Sequence, residues 1–209
     1  MTTAHDHLAH FDGLYARDAD PWDYEGSRAE AHKRATVLAS LGSGSLGRVC
    51  ELGCGPGVAT VAMAPRCARL LAIDGSREAA ALAHARTAHL RRVRVHREAL
   101  PPSLPTAAFD AIVATEVLYY LPRPVRRATL TAVSRALRPG GHFVSTNSLE
   151  RFGDAEVANA ALIREQQAAF GAPVRTVVGA GWRLDAYRLA RPTLRREVVS
   201  PLGFEPRTY

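Results

Sequence analysis

The sequence predicts an α/β fold: one doubly wound, mostly parallel sheet with an antiparallel hairpin at its edge and a helical cap before it. Three observations carry this reading. From Arg48 onward, short apolar runs alternate with longer helical patterns. The runs are continuously apolar, as strands covered on both faces are, and do not alternate like half-exposed ones. The last two runs are joined by the short turn Gly179-Ala-Gly181, which favours a hairpin. The 209 residues accommodate one such domain.

The first elements differ from the rest. Phe11, Tyr15, Asp18, Asp20, Pro21, Trp22 and Tyr24 form an aromatic and acidic cluster. A helix follows from Ser27 to Leu41, with Ala31, Ala35, Leu38 and Leu41 at helical spacing. Gly42–Gly47 reads as a turn, so residues 1–46 form a cap or lid segment and residues 47–191 the sheet domain. Strands are expected at Arg48–Leu52, Arg69–Ile73, Arg92–His96, Ala111–Ala114 and His142–Ser145. Helices are expected at Val58–Ala64, stopped by Pro65, at Ser76–Leu90 and at Pro124–Leu137. Pro124 suits a first helical position, and Arg138-Pro-Gly-Gly141 a helix end. A helix over Gly153–Phe170 precedes strands at Val174–Val178 and Leu184–Leu189. Residues 192–209, with three prolines and little periodicity, read as a tail.

Composition excludes several classes. With 47% hydrophobic and 22% charged residues, the chain is neither a disordered tail nor a fibrous repeat. No apolar run approaches the length of a membrane span, and the N-terminus lacks the apolar core of a secretion signal, so a cytoplasmic location without membrane partners is expected. Three cysteines are an odd number in a chain able to bury its own core, which argues against a disulfide scaffold. The formal charge is +7, yet Lys33 is the one lysine and all other basic residues are arginines. Such a bias fits a GC-rich bacterial genome. The arginines are dispersed along the chain, whereas nucleic-acid binding needs a clustered basic face. His5, His7 and His10 are read as part of a mobile terminus and not as metal ligands, because no Cys or acid cluster completes a site.

The chemistry concentrates in Val49-Cys-Glu-Leu-Gly-Cys-Gly-Pro-Gly-Val58. A strand runs into Gly53, Gly55 and Gly57, where absent side chains permit tight turning and close approach of a ligand. A dinucleotide fingerprint would want glycine at 58, where valine stands, and Glu51 suits an ammonium group better than a phosphate. S-adenosylmethionine carries an α-amino group and a sulfonium and no phosphate, which matches. Asp74, followed by Gly75 at the end of the second strand, is placed to accept the ribose hydroxyls. Glu98, Ala99 and Leu100 end the third strand near the adenine edge, and Thr115 and Glu116 end the fourth. Cys54 is read as a small packing residue of the loop.

Taken in order, ELGCGPG, AIDGS and LRPGG resemble the class I S-adenosylmethionine-dependent methyltransferases across about residues 48–148, implying their Rossmann-like fold and cofactor. FDAIVATEVLYYL, the early Phe-Asp…Tyr…Asp-Pro-Trp segment and Trp182–Leu189 most resemble the nodulation protein S (NodS) type. Enzymes of that type methylate the free amine of a deacetylated glucosamine unit, so the resemblance implies an N-methyltransferase acting on an amino sugar or a related small metabolite, in the manner of secondary-metabolite tailoring. It also implies that Trp22 and Tyr24 close over the methionine end of the cofactor, where an aromatic face attracts a sulfonium; as core aromatics of the cap they would have no such role.

Direct transfer requires the acceptor lone pair in line with the departing sulfur and requires an ammonium acceptor to lose a proton. Glu116, Tyr119 and Tyr120 are the candidate bases. The same groups could deprotonate a hydroxyl, which keeps an O-methyltransferase as an alternative. RNA methylation and a non-catalytic cofactor-binding partner protein are further alternatives, and pairing as a homodimer is left open. Neither the carboxylate set of metal-dependent catechol enzymes nor an Asn/Asp-Pro-Pro-Tyr motif is present.

Overall fold

The computed structural model describes residues 4–149 and 159–190. A seven-stranded sheet has the order β3-β2-β1-β4-β5-β7-β6. Its strands are β1 (Gly47–Leu52), β2 (Cys67–Asp74), β3 (Val93–Arg97), β4 (Phe109–Thr115), β5 (Leu137–Ser148), β6 (Arg175–Gly179) and β7 (Trp182–Arg188). The first five run parallel, and β7 is antiparallel to both β5 and β6. Winding reverses between β1 and β4. The loops that follow these two strands therefore diverge and leave a crevice at the carboxyl ends, where ligands of open α/β sheets bind.

Helices α2 (Arg28–Ser40), α3 (Val58–Met63) and α4 (Arg77–Thr87) cover one face of the sheet, and α5 (Arg123–Ala136) and α6 (Asn159–Phe170) cover the other. Strand alternation assigns the faces: Val49, Leu70, Val113 and Val144 pack with Val37, Leu41 and Met63, while Leu52, Ile73, Ile112 and Phe143 pack with Leu130, Val133 and Leu162. The N-terminal segment thus shares the core of the sheet. Ser27 caps α2 by accepting from Glu30 N, and Ser76 caps α4 by accepting from Ala79 N, the expected use of serine at a helix start.

Two expectations need correction. Residues Ala4–Arg17 form helix α1, so the three histidines do not belong to a mobile terminus. Leu8, Phe11 and Tyr15, at i, i+3 and i+7, turn one face of α1 toward the crevice, and Asp12 fixes its far side: Asp12 Oδ1 accepts from Ser76 Oγ at 2.6 Å and Arg77 N at 2.7 Å. Second, β5 starts at Leu137, which pairs with Phe109 before the register shifts, so Arg138-Pro-Gly-Gly141 lies within the strand. Gly140, at φ +82°, turns the backbone so that Gly140 N donates to Leu189 O and Leu189 N to Gly141 O, both at 2.9 Å. A 3-10 turn at Leu118–Tyr120 follows β4. The expected start of the last helix at Gly153 and the tail 192–209 lie outside the described residues.

Candidate active site

The crevice is a cavity roofed by α1 and α2 and floored by the ends of β1, β2, β3 and β4. Gly53, Cys54, Gly55, Asp74, Gly75, Ala99, Leu100, Thr115, Glu116, Tyr120, Trp22 and Tyr24 all line it, as does Glu51.

Two backbone positions show why the loop is glycine-rich. Gly53 sits at φ +67° and a Cβ there would lie 2.7 Å from Val117 Cγ2; Gly55 sits at φ +53° and a Cβ would lie 2.8 Å from the Tyr15 hydroxyl. Gly57 has a different role. It does not line the cavity, and a Cβ on it would approach Ala83 of α4 at 3.1 Å, so it lets two helices pack closely. Cys54 is buried, and burial holds its thiol well above the ordinary value. That leaves it a neutral packing group and a poor nucleophile.

Glu51 is completely buried. Oε2 accepts from Thr60 Oγ1 at 2.5 Å, while Oε1 has no hydrogen-bond partner. Burial, reinforced by the charge of Asp74 and only partly offset by Thr60, pushes its carboxyl up to about 8. A buried polar atom without a partner calls for a donor, and the α-ammonium of S-adenosylmethionine is one that would also favour the ionised acid. Asp74 Oδ2 accepts from Gly55 N at 2.8 Å and Oδ1 from Ser76 N at 2.9 Å. Those two bonds tie the glycine loop to the start of α4 and aim the carboxylate, with a lone pair on each oxygen left over for ribose hydroxyls. Burial holds Asp74 above the usual carboxylate range. The residues present therefore fit the cofactor at both its amino-acid and its ribose ends.

Aromatic rings surround the remaining space. Trp22 lies 5.6 Å from Tyr15, 5.8 Å from Tyr24 and 6.2 Å from Phe11, and Phe11 meets Tyr120 edge-on at 5.0 Å. Trp22 and Tyr24 are thus cavity-lining aromatics. Burial raises the phenols of Tyr15 and Tyr24 well above their ordinary value, so both are neutral donors. Glu98 is not part of the cavity lining: its Oε1 accepts from Ser103 N at 2.6 Å, holding its own loop, and Ala99 and Leu100 alone present the third strand's end.

Beyond β4, Glu116 adopts φ +55°, a left-handed conformation costly for a side-chain-bearing residue. Its N–H donates to Thr146 O at 3.0 Å. Oε2 accepts from Tyr119 OH at 2.9 Å, and Oε1, buried on a side chain lining the cavity, receives no hydrogen bond. Tyr119 itself does not reach the cavity. Burial and the adjacent Glu116 charge raise its phenol far up, so it is a fixed donor behind Glu116 and no base. Tyr120, the next residue on the 3-10 turn, points into the cavity. Sequence reasoning missed Lys33, Glu30 and Arg34 of α2 and His7, Leu8, Phe11 and Tyr15 of α1, all of which line the cavity. The helical spacing of Leu8, Phe11 and Tyr15 was the available signal for α1. Among the described residues no helix is long and apolar enough to cross a membrane, and no group of three or more His, Cys, Asp or Glu is placed to hold a metal.

Comparison with known proteins agrees with this geometry. Residues 49–141 match the Methyltransferase domain family. Nodulation protein S of Rhizobium tropici is 33% identical over 173 residues, covering 75% of this chain and 68% of that protein. A ubiquinone biosynthesis O-methyltransferase of Alkalilimnicola ehrlichii is 30% identical over 149 residues, covering 67% of this chain and 58% of that protein. The crystal structure of the N-methyltransferase NodS from Bradyrhizobium japonicum, in complex with S-adenosyl-L-homocysteine, superposes with a TM-score of 0.78 at 27% identity, covering 87% of this chain and 97% of that one. A glycine loop beside a buried acid with one oxygen unpaired, a second acid at the end of β2 and the sheet order thus occur together in a chain that belongs to the NodS type of class I S-adenosylmethionine-dependent methyltransferases.

Proposed function

We propose that this protein methylates the amino group of a small acceptor, an amino sugar or a related metabolite. The observation that carries the reading is Glu116 Oε1, a buried carboxylate oxygen on the cavity wall that receives no hydrogen bond, with the Lys33 ammonium 3.3 Å away, while Tyr119 holds its twin. An acceptor N–H supplies the missing donor, and the carboxylate is then placed to take the ammonium proton, which an amine must lose before its lone pair can attack. When bound, S-adenosylmethionine supplies a methyl group on a sulfonium; the new C–N bond forms as the C–S pair passes to sulfur. Glu51 holds the amino-acid end through Oε1, Asp74 the ribose, and Trp22, Tyr24 and Tyr120 give the sulfonium side an aromatic wall that excludes water. Tyr119 fixes the direction of Glu116.

The test is methyl transfer to glucosamine and to N-acetylglucosamine, followed by mass spectrometry across pH. Methylation of the free amine alone, with activity rising as that amine deprotonates, supports the reading. A hydroxyl acceptor methylated in preference to every amine overturns it. That outcome would favour O-methylation, the reading suggested by the 30% identity to a ubiquinone biosynthesis O-methyltransferase.

A further inference from the structure

Lys33 is the one lysine in a chain whose other basic residues are all arginines, and its ammonium lies inside the cavity. Its Nζ is 2.8 Å from Glu30 Oε1 and 3.3 Å from Glu116 Oε1, with all three side chains largely buried. The contact with Glu30 is a hydrogen bond, whereas the approach to Glu116 is an ion pair without hydrogen-bond alignment. Glu30 stands three residues after the N-cap Ser27, the position from which a glutamate commonly reaches back to cap its own helix. Here Ser27 N donates to Asp23 O instead, and the Glu30 carboxylate is turned to Lys33. Helix α2 thus carries a two-residue arm, Glu30 holding Lys33, aimed across the cavity at the strained end of β4.

We infer that Lys33 is a positioning residue for Glu116, with Glu30 fixing Lys33 in turn. Tyr119 restrains Oε2 by a hydrogen bond; Lys33 restrains Oε1 by charge alone and leaves its lone pairs to the acceptor. A compact ammonium suits this task. A guanidinium in its place would offer a planar fork that engages carboxylates bidentately, occupying the oxygen the acceptor needs. The arm also makes the acceptor half of the site depend on α2, which α1 and the Trp22 segment join to the roof over the cofactor.

This inference rests on Glu116 acting on the acceptor, so the experiment is a double-substitution cycle on the full chain: Lys33→Met, Glu116→Gln and the pair, read as kcat, acceptor KM and calorimetric affinity for S-adenosylhomocysteine. Glu116→Gln is expected to lower kcat by roughly a hundredfold or more. Lys33→Met is expected to lower it roughly tenfold, with cofactor affinity unchanged, and to cost nothing further once Glu116 is Gln, because neighbours acting through one group are not additive. Independent, multiplying losses overturn the inference while leaving Glu116 in place, as does a loss of S-adenosylhomocysteine affinity in Lys33→Met matching the loss of turnover. A Glu116→Gln protein with unchanged kcat overturns the role of Glu116 itself. Glu30→Gln, which keeps the helix and its Ser27 cap, is expected to reproduce a weaker form of the Lys33→Met effect even if the methionine variant folds poorly; wild-type kcat in Glu30→Gln counts against the arm.

Discussion

Replacing Glu51 by glutamine is expected to stabilise the cofactor-free protein while weakening cofactor binding. The carboxyl is fully buried, and burial raises it from an ordinary 4.5 to about 8. Between those values the native state keeps a proton that the unfolded chain gives up, so stability falls as pH rises, by about 1.4 kcal/mol per pH unit. From 4.5 to pH 7 the deficit is about 3 kcal/mol. Glutamine has no such titration and its carbonyl can still accept from Thr60; its amide brings two N–H donors against the single O–H of the protonated acid, which takes about 1 kcal/mol from the gain. Glu51→Gln should therefore gain about 2 kcal/mol at pH 7, or roughly 4–8 °C in Tm for a chain of this size, and lose the downward slope between pH 5 and 8. The same change removes a charge-assisted bond to an ammonium, worth about 1.5–3 kcal/mol, so affinity for S-adenosylhomocysteine should drop roughly 10- to 150-fold. Wild-type binding should tighten toward pH 8 and release a proton, because pairing with the ammonium requires the ionised acid. Denaturant unfolding at pH 5, 6, 7 and 8 with matched calorimetry tests this. A glutamine variant that is less stable at pH 7 with the wild-type slope, or that binds S-adenosylhomocysteine as tightly as before, would refute it.

Asp12→Ala removes the carboxylate that joins α1 to the start of α4 and should cost about 1–2 kcal/mol, the range of a lost helix cap. Burial alone would raise this carboxyl, but hydrogen bonds from Ser76, Glu78 and Arg77 bring it below its ordinary 3.8. Its contribution is thus complete above pH 3.8 and is lost as pH falls through the lower folded value, so wild type and variant should converge in acid unfolding. Arg126 is buried, donating to both oxygens of Glu165 on α6 and to Leu121 O; Arg126→Met leaves Glu165 with the exposed Arg123 at 3.5 Å and should cost about 1.5–3 kcal/mol in denaturant unfolding, the range for hydrogen bonds to a charged group. Trp22→Leu should weaken S-adenosylmethionine binding more than S-adenosylhomocysteine binding, by roughly 2- to 30-fold, because only the former carries the sulfonium charge that an aromatic face attracts. Equal losses would make Trp22 a packing residue only.

The parts of the fold and site that were legible in the sequence are those fixed by local backbone chemistry. Gly53 and Gly55 have left-handed backbones that only their own loop demands, and Glu51 and Asp74 follow from where strands β1 and β2 end. The helix over 28–40 announced itself through Ser27 and its apolar spacing. What stayed hidden depends on tertiary placement. Helix α1 dilutes the stripe of Leu8, Phe11 and Tyr15 with histidines and gains its footing from Asp12, whose partners lie far along the chain. Tyr119 and Tyr120 are indistinguishable as neighbours until a 3-10 turn sends one phenol behind Glu116 and the other into the cavity. Lys33 stood out only as a compositional oddity, since its reach to Glu116 exists once α2 lies over the end of β4. Glu98 and Gly57 fall outside the cavity lining for the converse reason: each meets a nearby loop or packing requirement that a motif does not reveal.

The two orphaned oxygens explain one another's location. Glu51 belongs to β1 and Glu116 follows β4, the adjacent strands between which the winding reverses. There the following loops separate, and one oxygen of each buried carboxylate is left without a hydrogen bond. On the proposed reading, Oε1 of Glu51 meets the ammonium of the cofactor, so its burial costs stability until the cofactor arrives. On the same reading, Oε1 of Glu116 meets a cation that gives up its proton and leaves as product, and its restraints come from the protein itself: a strained backbone, a phenol on one oxygen and an ammonium beside the other. If both acids served the cofactor alone, Glu116→Gln would lower S-adenosylhomocysteine affinity as Glu51→Gln does; the expected separation, with affinity lost at position 51 and turnover lost at position 116, is what a site with two different cationic guests requires.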